Sequence, residues 1–486
     1  MPAKLKHDEW NTIIAFLSQS DVLNIMDASP ALYERGLPVL LRSPIIVPPE
    51  SVTMKRVLQV SGLVAPDVLP ADLDISRLMS VGHLFRDLRI RAMGIPAQWR
   101  PPPVCKLLHV ATGLHSLDIR DSAYAYRLFP ELPRLIGGLI KLTRLALSEA
   151  NKSLCQELMR YPLSLTHLYI SFNSRDVFGD QPWKCDFASM LNRCSATLES
   201  IHLSHVKFSS IAELVFPRAH TLGIQYFEIG VRRNTLVHQL PRLSTLYIGE
   251  LFLSAEERTT LIQWHAINSL EPSQPQIQWS HLERVSAPYT AIYGLHLRCT
   301  AHFLRFDVAL QHADLADPQV LVNCQPQSIS VRVWDNHLEP LQVFLSRAPQ
   351  LTHIGVHLLC HSLFNIYSNA EEVLHCIDSC IQALRSSSCT HLFVNLACDT
   401  EYVEDLHPLL FGYWQHRCMF AQQLVDAIPS IQSIHLATYY TGANKVWLGE
   451  VVNLSGRRTV QQVEELPAVP EHLSAFREEE DTYRWT

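Results

Sequence analysis

The sequence predicts an α/β fold in which a short N-terminal helical domain precedes a solenoid of stacked parallel strands. Two observations predict it. A six-residue phrase, Leu-x-x-Leu-x-Leu with aliphatic substitutions, recurs along most of the 486 residues: Leu114-Leu117-Ile119, Leu142-Leu145-Leu147, Leu165-Leu168-Ile170, Leu198-Ile201-Leu203, Leu243-Leu246-Ile248, Leu351-Ile354-Val356 and Ile431-Ile434-Leu436. Residues 1–45 lack the phrase and space their apolar side chains as helices do.

Weaker copies of the phrase open at Phe85, Ala219, Leu282, Phe303, Pro326 and Cys389, and most intervals fall within the roughly 20 to 29 residues of a leucine-rich repeat. The alternation Leu-x-Leu is the period of a strand, and the first leucine packs where the chain enters it. One such unit cannot bury its own apolar face, but a stack can. The expectation is a degenerate leucine-rich-repeat solenoid over residues 81–440, with a parallel concave sheet and irregular helical or loop return legs. A length beyond the roughly 250 to 300 residues at which one core stops growing also favours an array.

Composition excludes several classes of function. The chain is 47% hydrophobic and 18% charged, and has no run of 18 apolar residues, so a membrane span is not expected. Met1 to Glu9 is polar, unlike a secretory signal, and the twelve cysteines form no paired framework. A cytoplasmic or nuclear location with buried thiols follows. The net charge is −7, largely from residues 461–486, leaving a near-neutral body that does not suit nucleic acid as a partner.

The N-terminal residues read as three helices. Trp10, Ile13, Ile14 and Leu17 share one helical face, with Asp8 and Glu9 in the first turn, where the helix dipole favours them. Ser20 is expected to cap a second helix bearing Val22, Leu23, Ile25 and Met26, and Ser29-Pro30 to open a third with Leu32 and Tyr33. Gly36 and Pro38 are expected to interrupt that third helix. About 40 residues make a marginal core, so the segment needs a neighbour.

The wording of this segment, Leu5-Lys6-His7-Asp8-Glu9-Trp10 through Phe16-Leu17-Ser18-Gln19-Ser20-Asp21-Val22-Leu23, then Leu32-Tyr33-Glu34-Arg35-Gly36-Leu37-Pro38-Val39-Leu40-Leu41-Arg42-Ser43, resembles the F-box of fungal F-box and leucine-rich-repeat proteins. Lys6 stands where that family usually has proline, and Asp27 where it has an apolar or neutral residue. The resemblance implies a substrate-recognition subunit of a cullin-based (SCF-type) ubiquitin ligase. Its F-box would bind a Skp-type adaptor, and through it a cullin, while the repeats hold an unidentified protein substrate. Carried over by position, the adaptor-binding candidates are Leu5, Ile14, Leu17, Val22 and Leu23; packing of the helices on one another is the other role these residues suit. A repeat scaffold without a ligase role is the alternative.

Between the F-box-like segment (1–45) and the repeats, residues 46–80 read as a connector stiffened by Pro48 and Pro49, with a helix expected from Ser51 to Gly62. Pro101, Pro102 and Pro103 are expected to make the first return leg extended. Helices are expected at Ser153 to Met159 and, from its apolar face, at Ala370 to Leu384. Insertions carrying Trp183, Pro272 and Pro275, and Trp414 mark edge loops, and residues 441–486 read as a cap followed by an acidic tail.

Within each phrase the third, fifth and seventh positions point out of the sheet. They include Asp118, Arg120, Arg144, His167, Tyr169, His202, Tyr247, Arg284, Arg305, Asp307, Arg332, His353, His357, His391, Phe393 and His435. Tyr169, His202 and Tyr247 are the substrate-binding candidates, because aromatics and histidine supply contact area with little conformational entropy to lose. Histidines and cysteines between His357 and Cys398 lack Cys-x-x-Cys spacing, so no metal site is expected. No nucleophile elbow, phosphate-binding loop or His-Glu-x-x-His helix occurs, and neither catalytic residues nor a cofactor are expected.

Overall fold

A computed structural model describes residues 13–26, 30–41, 44–47, 82–92, 103–158, 160–172, 187–204, 213–225, 230–249, 257–270, 279–307, 309–310, 314, 318–334, 337–359, 370–385, 387–397, 417–439, 445–454 and 457–466. Its chain is α/β, with parallel strands alternating with helices in a solenoid-like repeat. It divides into two units, one ending at Ala219 and one beginning at His220, a division that the repeat phrases do not announce.

The first unit holds β1 (Ile45–Val47), β2 (Asp87–Arg91), β3 (Ser116–Arg120), β4 (Arg144–Ala150), β5 (His167–Phe172) and β6 (Ser200–Ser204), each parallel to the next. Register sets like on like. Leu88, Leu117, Leu145, Leu168 and Ile201 form one ladder, and Ile90, Ile119, Leu147, Ile170 and Leu203 a second. None of the ten is more than 3% exposed. Burying a side chain of this size stabilises the fold by about 1.5–3 kcal/mol, so the paired ladders are a substantial part of the apolar stabilisation of the unit.

The second unit repeats the plan through β7 (Thr221–Ile224), β8 (Thr245–Ile248), β9 (His281–Ser286), β10 (Thr300–Arg305), β11 (Ser328–Trp334), β12 (His353–Leu359), β13 (His391–Ala397) and β14 (Ser433–Tyr439). Leu222, Leu246, Val285, Leu304, Ile329, Ile354, Leu392 and Ile434 follow one another in register, all at most 1% exposed. The ladder corrects one phrase. Leu304, not Phe306, pairs with Val285 and Ile329, so that repeat opens at Ala301 instead of Phe303. An offset of two keeps the faces unchanged.

An antiparallel hairpin, β15 (Lys445–Leu454) and β16 (Arg457–Leu466), pairs with β14 and ends the parallel ladder. The Arg458 guanidinium donates to the carbonyls of Val425, Ile428 and Ile431, at the C-terminal end of helix Arg417–Ala427, where carbonyls lack helical partners. Gln422 on the same helix accepts from the Val460 amide at 3.1 Å.

Several local expectations change. Helix Gln19–Met26 is capped by Ser18, whose hydroxyl accepts the Asp21 amide (3.3 Å) and donates to its carboxylate (2.6 Å); Ser20 lies inside the helix. Helix Pro30–Leu40 runs through Gly36 and Pro38. Pro38 falls in its last turn, so only the Glu34 carbonyl loses its helical amide. Gly36 lies where a Cβ would meet the Met26 side chain, so its absence lets the two helices approach. Pro103 starts helix Pro103–Val110 in place of an extended leg, its fixed φ suiting a first helical position. Helices Lys152–Leu158 and Ala370–Leu384 stand as expected. Residues 51–62, the Trp183, Pro272–Pro275 and Trp414 insertions, and the acidic tail lie outside the described residues.

Because the ladder positions are sealed, Leu168→Ala leaves a cavity and is expected to cost about 2–5 kcal/mol in urea denaturation. A loss below about 1 kcal/mol would show that the site collapses around the deletion and that no single rung is critical.

Candidate functional site

The ladders turn every second side chain of the first unit onto the open face of the sheet, where they align in rows across the strands. The leading row is Asp87, Ser116, Arg144, His167 and Ser200, and the middle row is Arg89, Asp118, Ala146, Tyr169 and His202. Both rows line a groove of about 260 Å³. Ala146, the one small residue of the middle row, leaves the space that its neighbours Asp118 and Tyr169 flank.

The groove carries charged and polar side chains over an apolar floor of Leu117, Leu145, Ala146 and Leu168, and Asp118 is poorly solvated. Asp118 is 8% exposed, and its Oδ1 has no hydrogen-bond partner. Burial raises its pKa from 3.8 to about 6, against the opposing pull of Arg120 and Arg89. Asp87 is also raised by burial, partly offset by Arg89, whose Nε lies 4.0 Å from its Oδ1. Burial lowers His202 from 6.5 to about 4, with His167 adding to the effect, so its imidazole is neutral near pH 7. Burial raises the Tyr169 phenol, whose hydroxyl bonds to Ser171.

The Thr-His pairs have one recurring geometry. Thr166 Oγ1 donates to the Thr143 carbonyl (3.2 Å) and lies 2.8 Å from His167 Nδ1. Thr352 does the same with Gln327 and His353, and Thr390 with Thr352 and His391. A hydroxyl proton committed to the carbonyl leaves its lone pair to accept from Nδ1–H, which fixes the tautomer. The pair is thus a device for joining repeats, and it accounts for half of the outward histidines.

Tyr169 and His202 are register neighbours in the groove, while Tyr247 lies in the second unit, between Gly223 and Ser286. There the Arg284 guanidinium sits 5.5 Å from the Tyr247 ring centroid and 5.2 Å from that of Phe303. Arg305 pairs with Asp307 at 2.8 Å, and Ser286 donates to the same carboxylate. His357 is buried, with Nε2 3.1 Å from Ser330 Oγ and Nδ1 3.2 Å from the Asn395 amide nitrogen, so it is held as a core residue. Among the described residues no three His, Cys, Asp or Glu side chains stand close enough to hold a metal ion. No described helix is long and apolar enough to cross a membrane.

At the N-terminus, Ile14, Val22 and Leu23 are each 1% exposed, Leu17 is half-buried, and Leu5 lies outside the described residues. Burial therefore gives the first three to the packing of the helices on one another. Among the described residues of this segment, the exposed large apolar side chains are Phe16, at 86%, and Ile13, at 38%. Sequence periodicity places Asp118 and Arg144 outward but gives no sign of the notch, for which the one available signal is alanine at an outward slot of a strong phrase.

The two perturbed groups pull stability in opposite directions. Between about pH 4 and 6 folded Asp118 holds a proton that the unfolded chain has released, so its contribution is present in acid and lost as pH rises through 6. Folded His202 stays neutral down to about 4 while the unfolded imidazole protonates below 6.5, so its contribution is lost as pH falls through that window. Asp118→Asn is expected to stabilise the protein by about 1–3 kcal/mol at pH 7.5 and to lose that gain by pH 4.5. Melts showing the same displacement at both pH values would refute a carboxylate strained by burial. Compared with known proteins, the chain matches no family model and no curated protein.

Proposed function

We propose that the chain is the substrate-recognition subunit of an SCF-type ubiquitin ligase, its N-terminal helices binding a Skp-type adaptor and the open face of its repeats binding a protein target. The observation that carries the reading is the pairing of an F-box-like segment, which leaves Phe16 and Ile13 exposed, with a strand array whose open face is polar and grooved. Exposed large apolar side chains beside a small helical core suit a partner's apolar surface. The chain itself would perform no bond chemistry. Its contribution would be proximity, holding a target lysine where a charged conjugating enzyme reaches it.

A repeat scaffold without ubiquitin transfer is the second reading, favoured by Lys6 and Asp27. Co-purification of cullin and RING subunits that depends on residues 1–45 separates the two. Mixed with a Skp-type adaptor, the purified protein is expected to form a complex. Phe16→Asp and Leu17→Asp are expected to weaken it at least tenfold, as removal of an interface anchor does. Phe16→Asp is the stricter test, since so exposed a residue is replaced without disturbing the fold. No complex with the unsubstituted protein would sink the ligase reading.

A further inference from the structure

The groove on the first unit crosses from β2 to β6, four strand spacings or about 19 Å, and its two ends differ in chemistry. Over β2, β3 and β4 arginine dominates. Arg89 and Arg91 stand in register with Asp118 and Arg120, and Arg144 follows on β4. Four guanidinium groups there meet two carboxylates, Asp87 and Asp118. Arg120, Arg89 and Arg91 all act on Asp118, which is 8% exposed and shows little of its charge to solvent, whereas the Arg89 side chain is 40% exposed. Asp121 and Glu149 lie off these rows, where the backbone turns left-handed (φ 55° and 51°). Over β5 and β6 the rows carry His167, Tyr169 and Ser171, then Ser200, His202 and Ser204, with no Asp, Glu, Lys or Arg among them.

Each end selects a different partner group. A lysine or arginine brought over β2 to β4 meets four like charges, whereas a carboxylate meets guanidinium forks that match its two oxygens. An apolar side chain there would strip water from the arginines and replace none of its hydrogen bonds. At the far end the neighbouring rings of Tyr169 and His202 offer a surface on which an aromatic ring packs. A nucleic acid strand suits the face less well, because its phosphates recur at every nucleotide and β5 and β6 have no Lys or Arg in these rows to meet them.

We propose that this face binds an extended acidic segment of the protein target, with an Asp or Glu carboxylate among Arg89, Arg91 and Arg120 and an aromatic side chain over Tyr169 and His202. The two contacts lie about three strand spacings apart, roughly 14 Å, which an extended chain covers in about four residues. The inference rests on the reading that the open face holds a protein target, and it adds the pair of side chains, and their separation, that the face selects. Charge matching of this kind sets specificity more than affinity.

The test uses immobilised peptide pools with random flanks, probed with the full-length protein. Each pool fixes Glu, Gln or Lys at one position and Phe or Ala at a second, two, four or seven residues away in either direction. Glu with Phe four residues away is expected to retain at least about fivefold more protein than its Lys or Ala counterparts, and to lose its lead over Lys at high salt. Arg91→Gln combined with Arg120→Gln is expected to remove the preference for Glu and keep that for Phe, and Tyr169→Ala to do the reverse. Circular dichroism melts confirm folding, and Arg89→Gln, on a well-solvated side chain, gives the same reading should the double variant melt early. Equal retention of Glu, Gln and Lys, equal retention of Phe and Ala, a lead for Lys, a Glu preference that survives the arginine substitutions, or a lead that is the same at every spacing would overturn the proposal. So would stronger retention on single-stranded oligonucleotide beads than on any pool. Adaptor capture by the same preparations separates the two readings: intact capture with no pool preferred defeats this inference alone, and lost capture with the paired preference intact defeats the ligase reading alone.

Discussion

Everything on the open face depends on strands stacking in parallel with leucine or isoleucine set on its equivalent in the next strand. In the first unit the rungs Leu88, Leu117, Leu145, Leu168 and Ile201 are sealed from water, and the second unit carries the same rule through eight strands. Because side chains alternate, a slip of one residue in any strand would expose its rungs and bury its polar neighbours. The apolar ladder thereby sets which polar groups share a row. Asp118 faces Arg89, and Tyr169 faces His202, because Leu117 faces Leu88 and Ile170 faces Leu203.

A groove arises from that order by a single change of size. Ala146 is the one small member of the middle row, at the centre of a groove whose lining runs from β2 to β6. Its walls hold an acid that burial makes reluctant to ionise and an imidazole that burial makes reluctant to protonate. Near neutrality the imidazole is uncharged, while Asp118 is a carboxylate held in a poorly solvated place.

The rows were legible in the sequence because they follow from a period of two. Even with the repeat opened at Phe303 instead of Ala301, Arg305 and Asp307 keep their outward side, since an offset of two preserves parity. What depends on one local contact was not legible. Ser18 and Ser20 are both acceptable caps, and only the Asp21 contact chooses between them. Pro38 and Pro103 break or begin helices according to their place in the turn, which composition does not state. Tyr169 and His202 came together as neighbouring strands require, whereas Tyr247 belongs to the other unit, a division that no repeat phrase marks. The groove is not legible because a small residue at an outward slot carries no periodic signal, and here the small one sits at its centre.

The N-terminal helices pose a problem of partition that the solenoid does not. A segment this short has few apolar side chains, and each either packs the helices or meets a partner. Ile14, Val22, Leu23, Met26, Leu37 and Leu40 are spent inside, none more than 7% exposed. Among the described residues, what remains outward is the turn at 13–17, where Phe16 N–H bonds the Ile13 carbonyl at 3.1 Å and Leu17 N–H the Ile14 carbonyl at 3.3 Å. That turn aims Phe16 into solvent while Ile14, two residues away, anchors the same backbone in the core. Replacing a buried member would abolish binding by unfolding the segment, whatever its partner. An effect at Phe16 cannot arise that way, so this position separates a docking surface from a packing one.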